Sequence, residues 1–203
     1  MNTESPSRVN LIARDIDFLL NQAAILKAAG WAVFTYLSIE EFFNNHDWKT
    51  SGCAILLVEP DDFDPWRLSL TLNDQDIEFP VIYIGKNASI YMAVDAMKNG
   101  ASNFLSYPVR NERLLEAVKE AIKKNRNQRN KRLLIQKCRD LVEQLTKTEK
   151  IVLESFCGKS RAKDVANQFG MSERTVRQHC RSINQKFETR NIVEAVRILL
   201  LSK

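Results

Sequence analysis

The chain is 203 residues long, 44% hydrophobic and 27% charged, and its 30 Lys+Arg against 25 Asp+Glu leave a formal charge of +5. These are the proportions of an ordinary folded protein and argue against a disordered tail, a collagenous repeat or a membrane span. At roughly 100–150 residues per domain, the length fits one large domain or two modest ones.

The first eight residues, Met1-Asn2-Thr3-Glu4-Ser5-Pro6-Ser7-Arg8, are polar, so no secretory leader is expected. Beyond them, apolar strand-sized runs alternate with amphipathic stretches. The pattern predicts strands at 9–12, 32–36, 54–58, 81–84 and 103–105, with helices at about 16–29, 39–45, 66–73, 89–99 and 111–124. Gly30 and Gly100 stand where the first and fourth helices should end. Five βα units read as a doubly wound parallel sheet, which binds ligands at the carboxyl ends of its strands.

All five prolines lie at or before Pro108, so the rest of the chain is expected to be mostly helical. Residues 123–132 form a basic, asparagine-rich bridge, and 125–144 reads as a basic linker helix between domains at 1–124 and 145–203. Leu134, Cys138, Leu141 and Leu145 share one face of it. That stripe either seams a dimer or rests on its own domain.

The last sixty residues read as four short helices. The first is capped by Thr146 or Thr148 and runs to about 156, with Gly158 beyond it; the second spans 161–169, the third 173–187 and the fourth about 191–202. Gly170-Met171-Ser172 joins the second and third. Glycine supplies a left-handed turn, Met171 can plug the angle between the helices, and Ser172 can cap the next one. Helix, short glycine turn, helix is the helix-turn-helix pattern. At 100° per residue, Val176, Cys180, Ile183 and Phe187 fall on one face of the third helix. Arg174, Gln178, Arg181 and Gln185 take the opposite face, with Arg177 on its shoulder. Such a face suits the major groove, where Arg pairs with guanine and Gln with adenine. The plainer reading is a solvated basic helix.

Residues 145–199 resemble the LuxR-type helix-turn-helix, the output domain of FixJ/NarL-type response regulators. The likeness runs through Leu145-Thr146, Glu149, Val152-Leu153, Gly158-Lys159-Ser160, Lys163-Asp164-Val165-Ala166, Met171-Ser172, Arg174-Thr175-Val176-Arg177, His179, Ile183, Lys186-Phe187 and Ala195-Val196. The resemblance implies base contacts from Arg177, Gln178 and Arg181. It implies phosphate contacts from Lys159, Arg161, Lys163, Arg174, Thr175 and Lys186, and a dimer contact through the last helix. Ile192, Val193, Val196, Leu199 and Leu200 make that helix more apolar than one buried face requires. His179 falls between the two faces of its helix, as a packing or phosphate-contacting residue.

The first 124 residues resemble the receiver domain of the same regulators, most closely along Pro80–Ile84, Met92–Ala101 and Phe104–Pro108. The implied fold is a flavodoxin-like (βα)5 domain of strand order 2-1-3-4-5, followed by the all-α LuxR-type domain. A receiver holds Mg²⁺ with an acidic pair and an Asp that accepts a phosphoryl group, and a Thr/Ser and a Lys engage the phosphate; a hard dication wants clustered carboxylates. Here the acidic pair falls on Ala13-Arg14, the phosphoacceptor on Leu57, the hydroxyl on Gly85 and the lysine on Tyr107. No phosphoacceptor and no metal ligand is expected. Asp15, Asp17, Glu59, Asp61 and Asp62 lie close by; Asp15 is suited to cap the first helix, and Asp61 and Asp62 to a turn before Pro65. Such a pseudo-receiver is left to dimerise, to dock a partner or to bind a small ligand near Tyr107 and Arg14.

Cys53, Cys138, Cys157 and Cys180 lie far apart, and His46 and His179 stand alone. That spacing predicts no metal or cofactor, and reduced, buried thiols in a cytoplasmic protein. No catalytic constellation is visible, so an enzyme is not expected. The charge divides sharply. Residues 1–120 hold 10 Lys+Arg against 17 Asp+Glu, and residues 121–203 hold 20 against 8, giving −7 and +12. The expected function is a sequence-specific transcription regulator that binds double-stranded DNA as a homodimer, independently of aspartyl phosphorylation. Two alternatives are a regulator that captures another receiver and binds DNA weakly, and an RNA-binding antiterminator.

Overall fold

A computed structural model describes residues 7–48, 50–59, 62, 64–158 and 161–203. The chain divides into two compact units, Met1–Arg129 and Asn130–Lys203.

In the first unit five parallel strands, β1 (Arg8–Ile12), β2 (Ala32–Tyr36), β3 (Gly52–Val58), β4 (Val81–Gly85) and β5 (Asn103–Ser106), form one sheet of order β2-β1-β3-β4-β5. The flavodoxin-like order expected of the sequence is the one found. Every residue of β3 and β4 is buried, which is why both read as unbroken apolar runs. Between the strands lie α1 (Ile16–Ala28), α2 (Ile39–Asn45), α3 (Arg67–Asp74) and α4 (Ile90–Lys98). Three starts are fixed by short polar caps: the side chains of Asp15, Ser38 and Ser89 accept from the backbone N–H groups of Phe18, Glu41 and Met92. One face of the sheet packs Leu11, Ile55 and Ile84 against α1 and Leu114, Ala117 and Val118 of the following helix. The other buries Phe42, Leu56, Leu68 and Tyr83. His46 sits among Phe42, Trp48 and Phe79, with ring centroids 4.6–4.9 Å away. Burial pushes its imidazole down to about 4, so it is a neutral core residue.

The helix expected at 111–124 continues unbroken as α5 (Asn111–Glu143). Two polar residues within the expected linker hold it to the first unit. Asn125 is buried; its Oδ1 accepts from the Gly52 N–H at 3.1 Å, and its Nδ2 donates to Glu78 O at 3.2 Å. Arg129 Nη1 donates to Trp48 O at 2.9 Å. A β-carbon on Gly52 would lie 2.2 Å from Arg8 O, so that residue must be glycine for the strand ends to close.

In the second unit α6 (Lys147–Ser155), a 3-10 turn (Phe156–Gly158), α7 (Ala162–Phe169), α8 (Glu173–Phe187) and α9 (Ile192–Leu201) surround one core. Val152, Leu153, Val165, Val176, Ile183, Phe187 and Leu199 fill it. Of the expected apolar stripe, Leu141 packs against this core from α5, Cys138 is buried and Leu134 is half exposed. Leu145 falls not on the helix, which ends at Glu143, but in the turn after it, where it also packs against the core. The four cysteines carry free thiols, but not all are buried as expected: Cys157, in the 3-10 turn, is exposed and Cys180 is half-buried. No helix among the described residues is long and apolar enough to cross a membrane.

Asn125→Ala removes both bonds of a buried side chain and orphans the Gly52 N–H. A loss of about 2–3 kcal/mol is expected in urea unfolding of the full chain, with no change in helix content.

Candidate nucleic-acid interface and strand-end site

The second unit turns a glycine-centred corner into a basic helix. Gly170 takes φ +64°, ψ +29°, a left-handed conformation at the end of α7. The Met171 N–H then donates to Ala166 O at 2.9 Å, closing the turn. Ser172 Oγ accepts from the Thr175 N–H at 3.1 Å and lies 2.8 Å from Thr175 Oγ1, starting α8. Val176, Ile183 and Phe187 are buried and Cys180 packs against them. The rotation of the helix is therefore set, and Arg174, Thr175, Arg177, Gln178 and Arg181 face outward, exposed. Arg177 Nη2 lies 3.3 Å from Glu173 Oε2, an exposed pair one turn apart that leaves most of the guanidinium available.

The other residues expected at this surface are distributed unevenly. Arg161 and Lys163 are exposed at the start of α7, where the Arg161 N–H donates to Asp164 Oδ2 at 2.9 Å. Lys159 lies outside the described residues. His179 is half-buried on the flank of α8. Lys186 is engaged within the unit, its ammonium 2.7 Å from Glu149 Oε2 and 3.1 Å from Gln144 O. Glu149 is buried, accepts from Ser182 Oγ at 2.7 Å and from the Thr146 N–H at 2.8 Å, and in return Thr146 caps α6. Burial alone would raise the Glu149 carboxyl, but the Lys186, Ser182 and Thr146 hydrogen bonds outweigh it and hold the group at about 2. The Thr146-Lys147-Thr148-Glu149 spacing is a capping-box signature, so part of this network is readable from the sequence. Its ties to Ser182 and Lys186, more than thirty residues away, are not.

On α9, Ala195 and Leu199 are buried while Val193, Leu200 and Leu201 are exposed, an apolar surplus beyond the core-facing side.

The first unit offers a different kind of site. Ala13, at the end of β1, and Leu57, on β3, present hydrocarbon to a crevice of about 330 Å³ at the strand ends. A β-carbon on Gly85 would come within 2.7 Å of Phe104 Cζ, so even the missing hydroxyl could not be added without moving that ring. Tyr107 is partly exposed and its ring lies 6.1 Å from that of Phe18. In place of the receiver's chemistry stands a chain of ion pairs. Arg14 Nη2 donates to Asp62 Oδ1 at 2.6 Å, and Lys86 Nζ donates to Asp15 Oδ2 and Glu59 Oε1, each at 2.8 Å. Nothing in the sequence singles out Lys86, although it directly follows Gly85. Its ammonium holds the Asp15 carboxyl below the usual carboxylate range, and the two carboxylates raise the lysine in turn. Asp61 lies outside the described residues. The residues present do not fit Mg²⁺: the acceptor is a leucine, the acidic pair is Ala13-Arg14, and the two nearest carboxylates already share a lysine. Among the described residues no group of three His, Cys, Asp or Glu side chains could hold a metal ion.

Comparison with known proteins agrees with both units. Residues 143–199 match the family described as bacterial regulatory proteins, luxR family. Over 155 residues the chain is 30% identical to the transcriptional regulatory protein TdiR of Thauera aromatica, covering 76% of this chain and 68% of that one. Over 176 residues it is 29% identical to the response regulator protein TodT of Pseudomonas putida, covering 87% and 78%. Among solved structures, the response regulator StyR superposes with a TM-score of 0.86 at 26% identity, over 97% of this chain and 99% of that one. These relatives are regulators of transcription or response regulators, not enzymes.

Breaking the Glu149 network should destabilise the protein. Glu149→Gln is expected to cost about 2 kcal/mol at neutral pH, because it leaves the partly buried Lys186 ammonium without its carboxylate. A carboxyl held low in the folded state contributes stability that is complete above its ordinary range near 4.5 and is lost as pH falls toward 2. The difference between wild type and Glu149→Gln, measured by urea unfolding, should therefore shrink from pH 5 to pH 3.

Proposed function

This chain belongs to the bacterial response regulators of the FixJ/TodT type, which end in a LuxR-type DNA-binding domain, and from that premise we propose that it reads specific DNA sequences as a homodimer without aspartyl phosphorylation. The observation that carries the DNA reading is the outward face of α8, rotated to solvent by the burial of Val176, Ile183 and Phe187. Arg177, Gln178 and Arg181 enter the major groove and contact base edges. Arg161, Lys163, Arg174 and Thr175 contact flanking phosphates, together with Lys159. Lys186 belongs to the same set by resemblance, and its first role is to hold Glu149. The domain limits are taken as 1–124, 125–144 and 145–203, with Asn125 and Arg129 tying the start of the middle segment to the first unit.

Dimerisation through α9 is supported by its exposed Val193 and Leu200. It would place two recognition helices on half-sites one helical turn apart or a multiple of it. Phosphorylation independence is supported by Leu57, Ala13 and Gly85 at the positions where the chemistry would sit. Localisation in the cytoplasm follows from this role. A second reading, capture of another receiver with weak DNA binding, is favoured by α4, whose Ile90 and Tyr91 are 77% and 79% exposed.

On a selected operator, Arg177→Ala and Arg181→Ala should each cost about 1–3 kcal/mol and relax specificity locally. Lys163→Ala should weaken binding to every sequence and lower the salt slope by about one. Unchanged operator affinity in both arginine variants would refute the groove assignment, and co-purification of a stoichiometric second regulator would favour the capture reading. Incubated with Mg²⁺ and acetyl phosphate, the full-length protein should show no added phosphoryl by intact-mass measurement. An acid-labile gain of one phosphoryl would refute phosphorylation independence.

A further inference from the structure

The ion pairs at the strand ends form one connected chain. Asp15 follows β1, Glu59 follows β3, and Lys86 follows β4. The backbone N–H of Lys86 donates to Val58 O at 2.9 Å, which fixes where its side chain starts. Its ammonium then reaches Asp15 Oδ2 and Glu59 Oε1, each at 2.8 Å, so the two carboxylates stand no further apart than twice that distance. Each carboxylate's segment is anchored again. Asp15 Oδ1 accepts from the Phe18 N–H at 2.9 Å, and the Glu59 N–H donates to Asp62 Oδ2 at 2.8 Å. Asp62 in turn accepts from Arg14 at 2.6 Å. Three carboxylates and two cations thus tie together the loops that follow β1, β3 and β4.

An exposed ion pair is ordinarily worth little, because water and salt screen it. Lys86 differs on two counts: its side chain is 29% exposed, and it bridges two acids on separate loops rather than pairing with one. Each of those acids also has a second anchor in its own segment, so its position does not depend on the lysine alone. Two carboxylates this close repel unless a cation lies between them.

We propose that Lys86 is the resident cation of the strand-end site, its ammonium clasping Asp15 and Glu59 in the way a divalent ion would and fixing the three loops without metal or phosphoryl. This rests on the phosphorylation-independent reading above. It carries a consequence that a merely structural ion pair does not. With the ammonium removed, the facing carboxylates should acquire affinity for a divalent cation, since Mg²⁺ is commonly held by one or two carboxylates and several waters.

The test uses the full-length protein, thermal unfolding and amide exchange at residues 57–59 and 84–88, with MgCl₂ or MnCl₂ added to millimolar levels. Wild type and Lys86→Arg should not respond to either ion. Lys86→Met should melt lower by about 3 °C or more, exchange faster in those loops, and recover at least half of both losses on adding the ions. Lys86→Met/Glu59→Gln, with the repulsion removed, should be more stable than the single variant and indifferent to the ions. That double variant also serves as the test should Lys86→Met be too unstable to purify. Overturning results are a Lys86→Met protein as stable as wild type, one destabilised yet indifferent to both ions, or a double variant no more stable than the single. Phosphoryl uptake by wild type would overturn the phosphorylation-independent reading; indifference of Lys86→Met to divalent ions overturns the clasp alone.

Discussion

The burial of three side chains on α8 governs what this protein can present to DNA. Val176, Ile183 and Phe187 are driven into the core of the second unit by their hydrocarbon, together with Val152, Leu153, Val165 and Leu199. Their positions fix the rotation of a helix whose remaining residues are dense in Arg and Gln. A rotation of about 100° that brought Arg177 to the place of Val176 would bury its guanidinium, so the packing of the core and the outward placement of the basic residues cannot be separated. The left-handed Gly170 and the Ser172 cap deliver the helix at its angle to α7, and the Glu149–Lys186 pair fastens its far end to α6. Stability of the unit and readiness of its basic face thus share the same residues.

The first unit keeps a receiver's scaffold while its strand ends carry different chemistry. Hydrocarbon from Ala13 and Leu57 replaces carboxylates, and a side chain at Gly85 would require the Phe104 ring to move. Charge has not left the area; it has been rearranged into internal pairs through Arg14 and Lys86. The described acids of these pairs, Asp15, Glu59 and Asp62, each already meet one of the two cations. The first 120 residues carry −7 and the remainder +12, and the latter is what a duplex would feel.

Much of this is legible in the sequence, for identifiable reasons. Strands β3 and β4 stand out because fully buried parallel strands need unbroken apolar runs. Most helix starts are marked by Asp, Asn, Ser or Thr caps, and the glycine turn before α8 has few alternative readings. The loss of receiver chemistry at Ala13, Arg14, Leu57, Gly85 and Tyr107 can be read position by position. What escapes depends on distant partners. Nothing local in Lys86 says that its ammonium meets acids from two other loops, and Lys186 looks like one more surface cation until Glu149 is placed beside it. Composition changes at residue 124, but composition does not show that Asn125 and Arg129 bond back to the sheet and its loops. Cysteine spacing speaks to pairing and not to exposure, so it does not show that Cys157 is exposed.

The most direct test is selection of bound fragments from genomic DNA by the purified full-length protein, run once untreated and once with Mg²⁺ and acetyl phosphate. Enrichment of one recurring two-fold sequence, to the same degree in both arms, is the predicted result. A pool without an enriched sequence, or enrichment confined to the phosphodonor arm, would contradict it.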